Sequence, residues 1–533
     1  MALSSVGCPI SQTPCGLDSW SKDGAIEGQR FDNITVTDKE IVNESEGITV
    51  LKGYYQCLVP VKRISRAHHD VNHEVVKKLK KFRHPNIVRV NRAKSDQEFE
   101  YLAPEIENYE STCSLYDLIR ALSDPSKDSV FPPHYKNKMD SLRDRMQDVE
   151  LWTEDDHPST SLLELIRNMV SGLICLHGKG IIHGDLKPQN VLITKNENGS
   201  LVAQLSDIGI SKRLPEDTSS SGDHATGCGS PGWRAPEQFL HGGHQTCAMD
   251  LFSLGCVLFF CVTHGKHPFG EPSKRDNNMK KNIMDPSSVK IIPEAMDMFS
   301  RLLKLDPKLR LKASEVLHHP IFWNSNRRLS FLRDFSDHRF LPEKIKRNWN
   351  ANGELRVLKK KEREAEVVKE KARGSRKANG SRQKEKWEAE VVEGKADGSS
   401  QEEVREAEVV EEEWEAEVTN WEAKVLNALL KALESEAPEV FEGNWATKID
   451  GEVMKHLRHY RVYDGSLLRY LVRAVRNSFS HQGDAPENVL EILGRDDEDL
   501  DAYFAERLSK LLIVSYGVAF ELCKRKKTFQ KYF

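Results

Sequence analysis

Residues 181–192, IIHGDLKPQNVL, carry an aspartate (Asp185) and an asparagine (Asn190) at a spacing that suits phosphoryl transfer, with Gly184 directly before the aspartate. A second concentration of chemistry lies far downstream in RHYRVYDGSLLRYLVRAVRNSFSHQGDAP, from Arg458 to Pro486. At helical spacing from about Leu467, Leu468, Leu471, Val472 and Val475 share one face, while Arg469, Arg473 and Arg476 share another. Asp464 or Ser466 can cap the start of that helix. The arginine stripe has no acidic partner within the helix, which suits a solvated face. Asn477 and His481, four residues apart, fall on one side if the helix persists that far.

Elements that could position these residues are legible in outline. ITVLKGYYQCLVPVKRI, from Ile48, alternates apolar and polar residues as a small antiparallel sheet does. HEVVKKLKKF from His73 has helical spacing, and FEYLAPEI from Phe99 reads as a strand. A charged, loop-like insertion is expected at about 123–158, followed by helical and turn-rich segments to Trp323. From about 353 to 423 the composition shifts to Lys, Glu, Arg, Ala and Val, with EAEVV at Glu364, Glu388 and Glu406 and a partial copy at Glu415. The uneven spacing excludes a solenoid; such mixed-charge sequence forms solvated helix or disordered linker. Ordered character returns with VLNALLKALES at Val425.

The 533 residues leave room for two or three domains. A formal net charge of -4, with 30% of residues charged, excludes a generic polyanion binder, so any nucleic-acid contact must be local. Ten scattered cysteines without a C-x-x-C pair suggest neither a zinc site nor a disulfide framework, which fits cytosol or nucleus. The first twenty residues lack the layout of a signal peptide, and GCVLFFCV, Gly255 to Val262, is too short to cross a bilayer and reads as a buried helix. A soluble, cytoplasmic or nuclear chain is expected.

Several stretches occur in the order found in protein kinases: VPVK ending at Lys62, Glu74 in the next helix, HGDLKPQN, SDIG at Asp207, APE at Ala235, DLFSLG at Asp250, and DPKLR ending at Arg310. Residues 37–323, after a polar tail at 1–36, thereby resemble a eukaryotic Ser/Thr protein kinase. That resemblance implies ATP or ADP with Mg2+ as cofactor. Lys62 would hold the α- and β-phosphates, steadied by Glu74, with Gly47 and Glu105 also lining the nucleotide site. Asn190 and Asp207 would bind the magnesium, Asp185 would orient or deprotonate the acceptor hydroxyl, and Lys187 would steady the transferred group. The glycine-rich loop is reduced to IVNESEGITV, where Gly47 stands beside Glu44 and Glu46, and carboxylates there repel phosphate. Pro60 removes a strand donor. Gly184 removes the arginine that meets an activation-loop phosphate, and Ile208 gives DIG for DFG.

The segments beyond Trp323, namely LSFLRDFSD, LLKALES and RVYDG…LVRAVRN…H, make the whole resemble the inositol-requiring-enzyme family of kinase–endoribonucleases, most like its plant branch. The implied fold class is α+β: a two-lobed kinase fold, then an all-α kinase-extension nuclease domain over 326–533, interrupted by the charged insert. By that resemblance Tyr463, Arg476, Asn477 and His481 form a metal-free ribonuclease site. His481 would be the acid, Tyr463 an assisting base, Arg476 the phosphate ligand and Asn477 its positioner. The residues after Asn477 are less basic than is typical of the family, with Gln482 and Gly483 following the histidine. The resemblance further implies RNA as substrate, a role in the unfolded protein response, and a homodimer or a heterodimer with full-length members; no lumenal sensor or membrane span is read in the chain. Three readings stand open: a nucleotide-gated endoribonuclease with an impaired kinase-like domain, an active Ser/Thr kinase, and an inactive modulator. For the second, Thr218, Ser219, Ser220, Ser221 and Thr226 are candidate phosphate acceptors.

Overall fold

The computed structural model describes residues 29–338 and 427–533, apart from 32–33, 46–47, 56, 68, 72, 82, 107–110, 124–132, 197, 209–210, 214–229, 240–245 and 290–291. The charged insert and all five candidate acceptor hydroxyls therefore lie outside the described residues. Two compact units are formed, one drawn from Met1–Val289 and Phe299–Leu317, the other from Lys290–Met298 and His318–Phe533.

The first unit begins with a six-stranded antiparallel sheet in the order β1-β2-β3-β4-β7-β6. Its strands are β1 (Gln29–Phe31), β2 (Ile34–Ser45), β3 (Ile48–Tyr55), β4 (Cys57–Ser65), β6 (Arg89–Ser95) and β7 (Phe99–Glu105). The expected alternation is real: Val36, Leu51, Val61, Tyr101 and Ala103 pack as one buried cluster. Pro60 lies opposite Lys52 on β3, and β4 pairs with β7 only from Lys62 onward, so its missing donor falls where one neighbouring strand is enough. A short β5 (His69–Val71) leads to helix α1 (His73–Lys81), which packs against β6.

Helices dominate the rest of this unit. After β8 (Cys113–Ser114) come α2 (Leu115–Leu122), α3 (Pro133–Arg145) and α4 (Thr160–Gly178). The expected loop at about 123–158 contains α3, because Met139, Leu142 and Met146 supply a buried apolar stripe within otherwise charged sequence. Strands β9 (Val191–Lys195) and β10 (Leu201–Leu205) join β8 in a small sheet against α4, and β11 (Ser211–Arg213) pairs with β5. The GCVLFFCV segment is buried throughout within α5 (Cys247–Val262). Helices α6 (Arg275–Lys280) and α8 (Ala313–Leu317) follow, while α7 (Pro293–Leu302) begins in the second unit and ends in the first.

The second unit is helical, centred on α9 (Ser325–Asp337). Residues 427–435 are helical, then α10 (Ala437–Val440), α11 (Gly451–Tyr460), α12 (Leu468–Ser480), α13 (Glu487–Leu493), α14 (Asp497–Arg507) and α15 (Leu511–Cys523) complete it. Helix α9 packs on α12, α14 and α15. Trp323, Phe331, Phe335, Tyr516, Phe529 and Tyr532 form an aromatic core that holds the C-terminus. Leu468, Leu471, Val472 and Val475 are all buried, as the periodicity requires. The cap differs from expectation. N-cap Leu467 offers no side-chain bond, and Asp464 instead accepts from Ser466 within the turn. The Glu434 carboxylate reaches in from the 427–435 helix and accepts from the N–H groups of Leu468 and Arg469 at 2.7 and 3.3 Å.

Candidate active site

The kinase-like cleft is built on a buried aspartate. Asp250, 1% exposed in the first turn of α5, accepts from the backbone N–H of His183 and of Gly184, both at 2.8 Å, and lies 2.9 Å from His177 Nε2. This clamp holds the loop by its backbone, with Gly184 at a left-handed φ of 76° that glycine adopts without steric cost. Asp185 follows: its Oδ1 accepts from Ser230 N at 2.7 Å and its Oδ2 from Asn190 Nδ2 at 3.0 Å. Lys187 Nζ lies 3.3 Å from Asp185 Oδ2 and donates to Ser230 Oγ at 2.7 Å. The structure thus gathers Asp185, Lys187 and Asn190 about Ser230.

Lys62 on β4 lies 2.9 Å from Asp207 Oδ1. Burial opposes the charge of Asp207, but Lys62, Lys187 and His183 together outweigh burial and hold the carboxyl below the usual carboxylate range. Asp207 takes a left-handed φ of 58°, and Ile208 beside it is buried. Glu74 is not brought in. It stands exposed in the first turn of α1, where the positive end of the helix favours a carboxylate, and among the described residues no ion pair joins it to Lys62. Glu105 ends β7 in an ion pair with Arg89 Nη1 at 2.9 Å, and Gly47 lies outside the described residues.

The donor set fits a magnesium nucleotide. Asn190 spends its amide N–H on Asp185, which leaves the amide oxygen as an acceptor, and Asp207 is ionised; both are oxygens of the kind Mg2+ takes. Among the described residues no group of three or more His, Cys, Asp or Glu could hold a metal, so a cation here would complete its shell with phosphate and water oxygens.

The nuclease-type residues gather on α12. Asn477 is 8% exposed and donates from Nδ2 to Tyr463 Oη at 2.6 Å; Arg476 Nη1 donates to Asn477 Oδ1 at 3.1 Å, and Arg476 Nε to Asp337 Oδ1 at 2.9 Å. Tyr463, Asn477 and Arg476 therefore form one hydrogen-bonded chain. Burial raises the pKa of the Tyr463 phenol, while the Asn477 bond and the charges of Arg461, Arg473 and Arg476 pull it down. Arg473 is itself lowered by burial and by its like-charged neighbours Arg461 and Arg476. His481 is the C-cap of α12, its N–H donating to Asn477 O at 3.0 Å. Its ring is 35% exposed and stacks on Tyr460 with centroids 4.5 Å apart, so it opens to solvent while joined to the chain through its backbone. Such a site offers a solvent-open imidazole and a concentration of cations for a phosphodiester.

Sequence reasoning missed Ser230, Asp337, Glu434 and Arg461 as members of these sites. It read Arg473, within the arginine stripe, as part of a solvated face, where it is in fact partly buried beside Arg461 and Arg476. Arg461 had a visible signal, an arginine two residues before the tyrosine. Glu434 had none, since a cap supplied from another helix leaves no local spacing.

These features define a protein kinase domain joined to a ribonuclease domain. The protein kinase domain family matches residues 48–322, and the ribonuclease 2-5A family matches residues 408–533. The serine/threonine-protein kinase/endoribonuclease IRE1a of Arabidopsis thaliana is 37% identical over 522 residues, covering 96% of this chain and 52% of the relative. IRE1 of Oryza sativa subsp. japonica is 36% identical over 510 residues, covering 95% and 46%. An inactive serine/threonine-protein kinase/endoribonuclease IRE1-like protein of Arabidopsis thaliana is 30% identical over 515 residues, covering 94% and 78%. The chain belongs to the IRE1 family. It spans about half the length of the first two relatives. Among the described residues no helix is long and apolar enough to cross a membrane.

Proposed function

We propose that this chain is a metal-independent endoribonuclease of the unfolded protein response, governed by a nucleotide-binding kinase-like domain that is impaired in phosphotransfer. The Tyr463–Asn477–Arg476 chain, with His481 capping the same helix, carries the reading. Arg476 neutralises the scissile phosphate, and Arg461 and Arg473 add to the local positive potential. Tyr463 assists in removing the 2′-hydroxyl proton; burial raises its pKa overall, and the three cations lessen that rise. The 2′-oxygen forms a bond to phosphorus, the bond to the 5′-oxygen breaks, and His481 protonates the leaving oxygen. The products are a 2′,3′-cyclic phosphate and a 5′-hydroxyl end.

In the kinase-like domain Lys62, Asn190 and Asp207 would hold ATP or ADP with Mg2+, the cation neutralising phosphate charge. Impairment follows from Glu74, which stands exposed in the first turn of α1 with no ion pair to Lys62 among the described residues. Nucleotide occupancy then acts on how two copies, or this chain and a full-length relative, meet. The test is a labelled RNA hairpin incubated with ADP, with a metal-chelated arm that checks metal independence. Wild type should leave cyclic-phosphate ends, and His481→Ala should lose about 100-fold or more of the rate. No cleavage by wild type at dimer-forming concentrations removes the proposal. Robust transfer from ATP that disappears in Lys62→Met would overturn the impaired kinase instead.

A further inference from the structure

Asp337 is the last residue of α9, and it sits there against local physics. A helix C-terminus is the negative end of the macrodipole and favours cations, yet the last turn of α9 carries Asp334 and Asp337 and no basic residue. Asp334 has partners for this in Lys531 and Tyr532 of the C-terminus. Asp337 has Arg476. A carboxylate placed where its own helix disfavours it is the kind of local conflict found at functional positions.

The same contact meets a need on α12. Arg461, Arg473 and Arg476 lie close enough that Arg461 and Arg476 depress the ionisation of Arg473. Left to themselves, like charges on long flexible stems diverge into solvent. Arg476 does not, because its guanidinium is fixed on two edges: Nε donates to Asp337 Oδ1 at 2.9 Å and Nη1 to Asn477 Oδ1 at 3.1 Å. The planar fork held in this way has its orientation set before any phosphate arrives.

We infer that Asp337 is a positioning residue of the ribonuclease site, holding Arg476 against Asn477 and offsetting the repulsion among the three arginines. This rests on the endoribonuclease reading above, and it adds a residue from α9, a helix outside the family-matched ribonuclease segment.

The experiment compares the full chain with Asp337→Asn, Arg476→Ala and the double variant. One readout is cleavage of a hairpin RNA; the other is binding of the same hairpin with a 2′-deoxy nucleotide at the cleavage site. Asp337→Asn should lower kcat by about 10- to 100-fold with KM moving far less, as loss of alignment does. The double variant should match Arg476→Ala, because both changes remove one shared contact. The unfolding temperature of Asp337→Asn should fall by far too little to account for the lost activity, which separates positioning from a structural role. Wild-type or faster turnover in Asp337→Asn overturns the inference, the faster case making Asp337 a competitor of phosphate. Losses that multiply in the double variant, or a lowered unfolding temperature that accounts for the lost activity, overturn it too. If wild type cleaves nothing, the nuclease reading falls and the binding series decides: weaker binding in Asp337→Asn, no weaker in the double variant than in Arg476→Ala, supports the positioning, and unchanged binding sinks it.

Discussion

Replacing Glu434 by alanine strips the cap from the helix that carries Arg476, Asn477 and His481. The carboxylate accepts from Leu468 N at 2.7 Å and from Arg469 N at 3.3 Å, and Arg469 Nη1 lies 3.4 Å away. A hydrogen bond to a charged acceptor is worth about 1.5–3 kcal/mol when well formed, which applies to Leu468 and not to the longer contact. Against this stands the cost of burying the carboxylate, which raises its pKa despite the two N–H groups. The net loss is about 2 kcal/mol, within the range of roughly 0.5–2 kcal/mol for deleting a helix cap. Glu434→Gln keeps an amide oxygen and should lose about half as much. At 1.4 kcal/mol per decade, about 2 kcal/mol corresponds to roughly 30-fold faster opening of the first turn. Hydrogen exchange followed by mass spectrometry on the peptide spanning Leu467 to Tyr470 reads this directly. Wild-type protection of the Leu468 and Arg469 amides in Glu434→Ala would refute the reasoning, because it would show that the first turn is held without the tertiary cap.

Arg310→Ala should destabilise the first unit by about 3–5 kcal/mol, since it abandons Glu237 in a buried two-pronged pair with contacts at 2.6 and 2.8 Å; urea unfolding followed by tryptophan fluorescence checks it. Asp334→Asn should cost about 1–2 kcal/mol at neutral pH, because Tyr532 Oη and Lys531 Nζ both lie on that carboxylate. Lys531 and Tyr532 hold the Asp334 carboxyl below its ordinary 3.8 against the effect of burial, so its contribution is present above that value and is lost as pH falls through the lower folded value. Thermal unfolding of wild type and Asp334→Asn should therefore converge in acid. Gly184→Arg should fold, because nothing lies within 4 Å of the new Cβ, yet lose about 1–2 kcal/mol to its left-handed φ, measurable as a lower unfolding temperature.

What the sequence revealed follows how local each signal is. The apolar face of α12 was legible because its period is a property of one helix, and GCVLFFCV read as buried because no polar residue interrupts it. Helix α3 was hidden because Met139, Leu142 and Met146 are three apolar positions within a strongly charged run. The cap from Glu434 and the pair from Asp337 join residues 34 and 139 positions apart, so no spacing rule reports them. The pairing expected between Lys62 and Glu74 came from order along the chain, and order does not fix how α1 is placed.

The two candidate sites differ in what their residues explain. Asp185, Lys187 and Asn190 have a sufficient account within the fold: Asn190 ties a 3₁₀ turn to Asp185, accepts at its carbonyl from Ser206, and with Lys187 and Ser230 fixes the loop that Asp250 clamps. Their presence would follow from loop geometry even in a chain that never moved a phosphate. The ribonuclease-type residues lack such an account. Arg476 is partly exposed, His481 is a third exposed, and the fold of α12 needs neither a guanidinium at the one position nor an imidazole at the other. Three arginines gathered around a half-buried phenol repel one another, and the Asp337 carboxylate that offsets this is bonded to Arg476, leaving the cluster a net positive charge. A cost borne at a partly open surface points to a ligand that relieves it, and a phosphodiester supplies the matching charge. The weight of the functional argument therefore falls on α12 and not on the loop that first announces a kinase.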